Sequence, residues 1–132
     1  LAHVEEVDAE QAGILQVRCR GGRRVTLESP RQRPDGLWLA QATRWPSERP
    51  TPVPDELTST REALRRAIDS LAQQQQQPFS QPYRFDDAGW IANRWCELLP
   101  IPLAAKQKLM ALDEPVLRLK LVDEFLRGKG VV

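Results

Sequence analysis

The apolar rhythm of this chain changes once. Over the first third, apolar residues recur at every second position; from about residue 55 they recur at every third or fourth. In "GILQVRCR", Leu15, Val17 and Cys19 fall on one side of an extended strand and Gln16, Arg18 and Arg20 on the other. In "RRVTLE", Val25 and Leu27 share one side. Gly21-Gly22 lies between these runs and predicts a hairpin. A two-residue Gly-Gly loop would set Cys19 opposite Arg24 and Val17 opposite Thr26, apolar against polar. A three-residue loop, Arg20-Gly21-Gly22, pairs Val17 with Val25 and Leu15 with Leu27, and the pattern favours that register. "LAHVEEVD" opens in the middle of another strand-like pattern, so the chain reads as a domain cut open at its front. Pro34-Asp35-Gly36 predicts a turn, and "LWLAQATRW" a further strand. "PSERPTPVP", with four prolines in nine residues, predicts an extended linker. The expected division is a β part over residues 1–50 and a helical part over residues 51–132.

In the helical part, Leu57, Leu64, Ile68 and Leu71 form one stripe between Pro54 and about Gln74. Ser59 with Glu62 has capping-box spacing and offers an alternative start. The Gln73–Gln77 run predicts a frayed helix end leading into a mobile loop. Asp86 or Asp87 caps the next helix, which buries Ala88, Ile91, Trp95 and Leu98 and stops before Pro100. Pro102 begins a short helix to Leu112. Asp113 caps a last helix with Pro115 in its first turn, an inner face of Val116, Leu119, Val122 and Phe125 or Leu126, and an end at Gly128. Joins this short force the helices to pack as a small bundle, self-contained from Pro54 onward.

Composition narrows the function. The 19 basic and 18 acidic residues nearly cancel, which argues against bulk nucleic acid or an anionic membrane as partner. No apolar run is long enough to span a bilayer, and a cytoplasmic location is expected. Cys19 and Cys96 lack ligand-like spacing and read as two buried, reduced thiols. His3 has no metal-ligand spacing to either, and "RCRGGRR" lacks the Lys-Ser/Thr of a phosphate loop. No catalytic constellation appears, so neither enzyme activity nor a cofactor is expected.

Two groups remain as binding candidates. Arg18, Arg20, Arg23 and Arg24 cluster around the glycines, which suits a solvated hairpin tip better than a phosphate-binding patch. Trp95 fits a helix core, whereas Trp38 and Trp45 have opposite strand parities and cannot both face one side. A tryptophan left exposed beside a groove would anchor apolar peptide, although burial between the β part and the helical part is the commoner outcome. Trp38, Trp45, Arg18 and Arg24 are therefore the candidate partner-binding residues.

"DDAGWIANRWCELLPIPLAAKQKLMALDEPVLRLKLVDEFL" closely resembles the helical part of the Lon protease N-terminal domain family, the Lon substrate-binding domain. The resemblance rests on Glu97-Leu98-Leu99-Pro100, a short step to Lys106-Gln107 with Leu109-Met110, then Glu114-Pro115 and a leucine-rich closing helix. "LAHVEEVDAEQAGILQVRCRGGRRVTLES" and "PDGLWLAQATRWPSE" look like the later strands of the family's β part, while its opening strands are absent. The resemblance implies an α+β fold: a partial PUA-like β pseudo-barrel of antiparallel strands, then a bundle of about four helices. It is to the standalone, single-domain members, and it implies no catalytic residue. The implied role is a non-catalytic module binding unfolded or apolar polypeptide segments, with a separate protease or chaperone as a further partner. The alternative it leaves is an RNA-binding PUA-like module. Loss of opening strands would leave strand edges unpaired, so self-association through the β half is expected.

Overall fold

The computed structural model describes all 132 residues. The chain divides into two compact units, Leu1–Ser47 and Glu48–Val132.

The first unit is two hairpins. β1 (Ala2–Gln11) pairs antiparallel with β2 (Ile14–Gly21), and β3 (Val25–Gln32) with β4 (Trp38–Arg44), giving two separate two-stranded sheets. The expected β2–β3 hairpin does not form. β2 instead finds a better-matched partner in β1, where Val4 faces Cys19 and Val7 faces Val17. The turn between them is Ala12-Gly13, with Gly13 at φ 82°, a conformation that favours glycine. Gly21-Gly22 is thus a connection between hairpins, with the Gly22 N–H donating to the Leu1 carbonyl at 2.8 Å.

The register of β1 slips between Val4 and Glu6 and again between Asp8 and Gln11, each time by one extra residue on β1. The first bulge matters for sidedness. Val4 and Val7 are three apart, and only the inserted residue lets both face the same way. β3 bulges between Glu28 and Arg31, where Ser29 takes φ 49° and Pro30 needs no ladder donor. Pro34-Asp35-Gly36 forms the expected turn between β3 and β4. The Gly36 N–H bonds the Arg33 carbonyl at 2.9 Å, the Leu37 N–H bonds Asp35 Oδ1 at 3.1 Å, and Gly36 sits at φ 86°.

The second unit is helical. A 3-10 turn, Asp55–Leu57, leads into α1 (Thr58–Gln73), so the Ser59–Glu62 capping box is not used. α2 (Ala88–Leu98) is capped by Asp87, whose side chain accepts from the Gly89 N–H at 3.0 Å. α3 (Leu103–Ala111) buries no residue. α4 (Pro115–Gly128) starts one residue later than expected, with Glu114 rather than Asp113 at the cap position and Pro115 in its first turn. Leu64, Ile91, Leu119, Val122 and Leu126 are fully buried where α1, α2 and α4 meet. Leu98 packs against this core half-buried, Leu71 is half-buried at the end of α1, and Trp90 and Leu99 belong to the core.

The glutamine run ends α1 as expected, but the segment after it is anchored by aromatic rings. Phe79 and Phe85 meet Trp90 edge-on at 6.4 and 5.3 Å, and Tyr83 lies 5.9 Å from the same ring. The thiols are both free, but Cys19 is exposed and Cys96 only half-buried, where both were expected to be buried. Burial raises the Cys96 thiol above its ordinary value, against the pull of Arg118 and Lys106.

Candidate functional site

Each hairpin is amphipathic, and neither apolar face is covered within its unit. On β1–β2, Val4, Val7, Val17, Cys19 and, by alternation, Leu15 share one face. Every residue of both strands is exposed, Leu15 by 67%. The other face carries Glu6 opposite Arg18 and Asp8 opposite Gln16. Arg18 pairs with Glu6 at 3.2 Å, and Arg20 with Glu5 at 3.0 Å. These cross-strand pairs neutralise the basic side of β2.

On β3–β4, Leu27 faces Ala42 and Trp38 faces Gln32, which puts Leu27, Ala40, Ala42 and Trp38 on one side. Trp38 is 64% exposed there. Trp45, just beyond β4, falls on the opposite side. Its indole Nε1–H donates to Thr26 Oγ1 at 2.8 Å, and the Arg24 guanidinium lies 4.5 Å from the ring centroid.

The four sequence candidates therefore separate. Arg24 and Trp45 come together as a stacked pair at the open end of the β3–β4 ladder. Trp38 lies at the turn end of β4 on the other face. Arg18 belongs to the other hairpin and is engaged with a carboxylate. The surface this builds offers apolar side chains and open strand edges, the combination that adds an extended polypeptide to a sheet. No group of three or more His, Cys, Asp or Glu side chains is placed to hold a metal ion.

Sequence reasoning missed the charged residues of the helical unit. Arg118 is 1% exposed. It bonds the Leu109 and Leu112 carbonyls at 3.1 and 2.6 Å, Asn93 Oδ1 at 3.1 Å, and both carboxylate oxygens of Glu48 at 2.8 and 3.3 Å. One signal was available: Arg118 stands four residues before Val122 and eight before Leu126, inside the apolar stripe. Asp123 is also buried, and accepts from the Thr60 hydroxyl and from Arg127 at 2.7 Å. Burial pushes its pKa up, but the bonds from Arg127 and Thr60 outweigh this and hold the carboxyl below its ordinary value. Glu97 goes the other way, because burial raises it beyond what Arg94 and Lys106 offset.

A family model described as the ATP-dependent protease La (LON) substrate-binding domain matches residues 1–128. None of the curated proteins compared matches the chain. Among solved structures, the crystal structure of a Lon N-terminal domain protein from Xanthomonas campestris is similar, with a TM-score of 0.70 and 22% sequence identity. The match covers 92% of this chain and 63% of that one, so the present chain spans less than two thirds of the solved chain. At this identity the likeness establishes the fold: antiparallel strands in small sheets plus four helices, as in a Lon N-terminal domain. No helix is long and apolar enough to cross a membrane.

Proposed function

Because the chain belongs to the LON substrate-binding domain family, we propose that it is a non-catalytic recognition module that binds extended, apolar segments of unfolded polypeptide on its hairpins. The observation that carries this reading is the pair of uncovered apolar faces, Val4, Val7, Leu15 and Val17 on one hairpin and Leu27 and Trp38 on the other. An incoming strand would pair its backbone with an open edge and set alternate side chains on the apolar face. In this reading Trp38 is the main anchor. Trp45 and Arg24 brace the end of the β3–β4 ladder, and Arg18 keeps the far face of β2 neutral through Glu6. A separate protease or chaperone would act on the same clients. RNA binding has less support, since Arg18 and Arg20 are already paired with acidic neighbours.

Tryptophan fluorescence tests the proposal directly. Trp90 and Trp95 are buried, so a change on adding peptide reports Trp38 and Trp45. Saturable binding of apolar extended peptides is expected, weakened more by Trp38→Ala or Trp45→Ala than by Arg24→Ala. A flat response across a broad panel of apolar peptides and a permanently unfolded protein defeats it.

A further inference from the structure

The helical unit holds a carboxylate in a site shaped for one. Arg118 is buried in α4, and three acceptors fix its guanidinium: the Leu109 and Leu112 carbonyls near the end of α3 and Asn93 Oδ1 on α2. Those bonds leave the Nη1/Nη2 fork to receive Glu48, whose two oxygens lie 3.3 Å from Nη1 and 2.8 Å from Nη2. This is the two-pronged geometry that matches a planar carboxylate. Room for it exists because residue 89 is glycine: a Cβ there would come within 2.9 Å of Glu48 Oε2.

Glu48 differs from the other partners in where it comes from. It lies in no helix, and it precedes the extended segment that is tied to the bundle further on. There the Ala88 N–H bonds the Thr51 carbonyl at 2.8 Å, and Pro52 bridges to Asp87. The Glu48 side chain is 25% exposed while that of Arg118 is 1% exposed, so the glutamate forms the outer wall of the site. Without it, a buried cation would keep only neutral acceptors, a state that calls for an anion.

We propose that Arg118, Asn93 and the Gly89 backbone form a carboxylate socket that Glu48 fills as an internal ligand, and that a carboxylate of another polypeptide can replace it. The socket is independent of the hairpin surface and of the apolar-segment reading. The replacing group is either a chain-terminal carboxylate or an acidic side chain; both present the same two oxygens.

Glu48→Ala removes a methylene and a carboxylate, the heavy atoms of acetate. In that variant sodium acetate is expected to raise the melting temperature saturably, by about 5 °C at concentrations well above its dissociation constant. Sodium chloride at equal ionic strength should not do so, and the wild-type protein should not respond. If the variant is unfolded, acetate-induced refolding followed by circular dichroism reads the same event. Equal responses to acetate and chloride, or equal responses of variant and wild type, overturn the socket. Two labelled peptides then separate the sources: one with a free C-terminus and no acidic residue, one amidated with a single internal aspartate. Binding of either by Glu48→Ala, at least tenfold tighter than by wild type, identifies the ligand. Binding of neither overturns the polypeptide half of the proposal.

Discussion

The two units are patterned alike and packed differently. In the helical unit, apolar stripes on α1, α2 and α4 meet, and Leu64, Ile91, Leu119 and Leu126 are fully buried. In the β unit, apolar faces of comparable regularity meet nothing within the unit, and no residue from Leu1 to Ser47 is buried. Patterning creates a face, and a core needs a second layer. A two-stranded hairpin has no second layer of its own, so its stability in isolation is marginal. Two helices joined by a few residues supply one another's second layer.

This contrast predicts very unequal costs for the same chemical change. Leu64→Ala or Ile91→Ala should destabilise the helical unit by about 2–5 kcal/mol, through lost transfer energy and a residual cavity. Leu15→Ala or Val17→Ala should cost less than about 0.5 kcal/mol, as expected of an exposed position. Urea unfolding of the four variants measures both. A cost above roughly 1 kcal/mol at Val17 would mean that the β1–β2 face is covered in solution, and the contrast would fail.

The next largest effect sharpens the line between the units. Residues 48–132 should melt cooperatively as an isolated piece. Within that piece Glu48→Ala should cost about 3 kcal/mol, because it strips the carboxylate from the buried Arg118. Equal stabilities would show that water or a buffer anion replaces Glu48 at little cost.

That boundary also shows what was legible in the chain. The helices could be read almost to the residue, since their contacts are local and their punctuation is chemical: Asp87 at one cap, Pro100 and Pro102 around one join, Pro115 at the last start. The strands were found, except that the polar run 29–32 continues β3 where a connection was expected, but their pairing was not. The glycine pair at 21–22 is a stronger turn signal than Ala12-Gly13, and two bulges on β1 hide the match of Val4 and Val7 to Cys19 and Val17. A bulge breaks the period-two rule on which strand reading depends. Of the candidate site, Trp38 could be read because it is one large apolar residue on an alternating strand. The Arg24–Trp45 stack depends on the β3–β4 register, and the Glu48–Arg118 pair joins residues seventy apart. Neither leaves a local trace.

A smaller effect separates the units by pH. The Asp123 carboxyl is held below its ordinary value, so the stability it contributes is complete above the unfolded-state pKa and is lost as pH falls through the lowered folded value. Glu97 is raised, so its contribution favours the fold at low pH and disappears as pH rises through its folded value. The helical unit should therefore lose the Asp123 contribution only below the usual carboxylate range. Asp123→Asn should flatten that acid limb in a series of melts from about pH 6 to about pH 2. The hairpins have no buried carboxylate, and spectroscopic signals from their residues should not follow the same curve. An acid limb unchanged in Asp123→Asn would assign it to other groups.

The smallest effect concerns whether the β unit gains further strands from another copy. Its two strand edges are not equivalent. Both irregularities of the first hairpin lie on β1, which also carries Glu5, Glu6, Asp8 and Glu10; a bulged, like-charged edge resists self-pairing. β2 is regular over Ile14–Gly21. An antiparallel β2–β2 pairing centred on Val17 would set Leu15 against Cys19 and Gln16 against Arg18 of the second copy. It opposes no two arginines and joins the apolar faces into one four-stranded sheet. The interface is small, so the association should be weak, with a dissociation constant on the order of 100 µM. Sedimentation over a hundredfold concentration range should show the mass rising, and Val17→Lys should abolish the rise while leaving the helical unit's melt unchanged. In a Cys19→Ala background, Val17→Cys should give a disulfide-linked dimer on mild oxidation, since the two positions face each other across the axis. A strictly monomeric protein at millimolar concentration, or a crosslink formed equally well from an exposed cysteine on α3, would show that the hairpins stay two-stranded. The contrast between the two units would then be a property of the solution state as well as of the isolated chain.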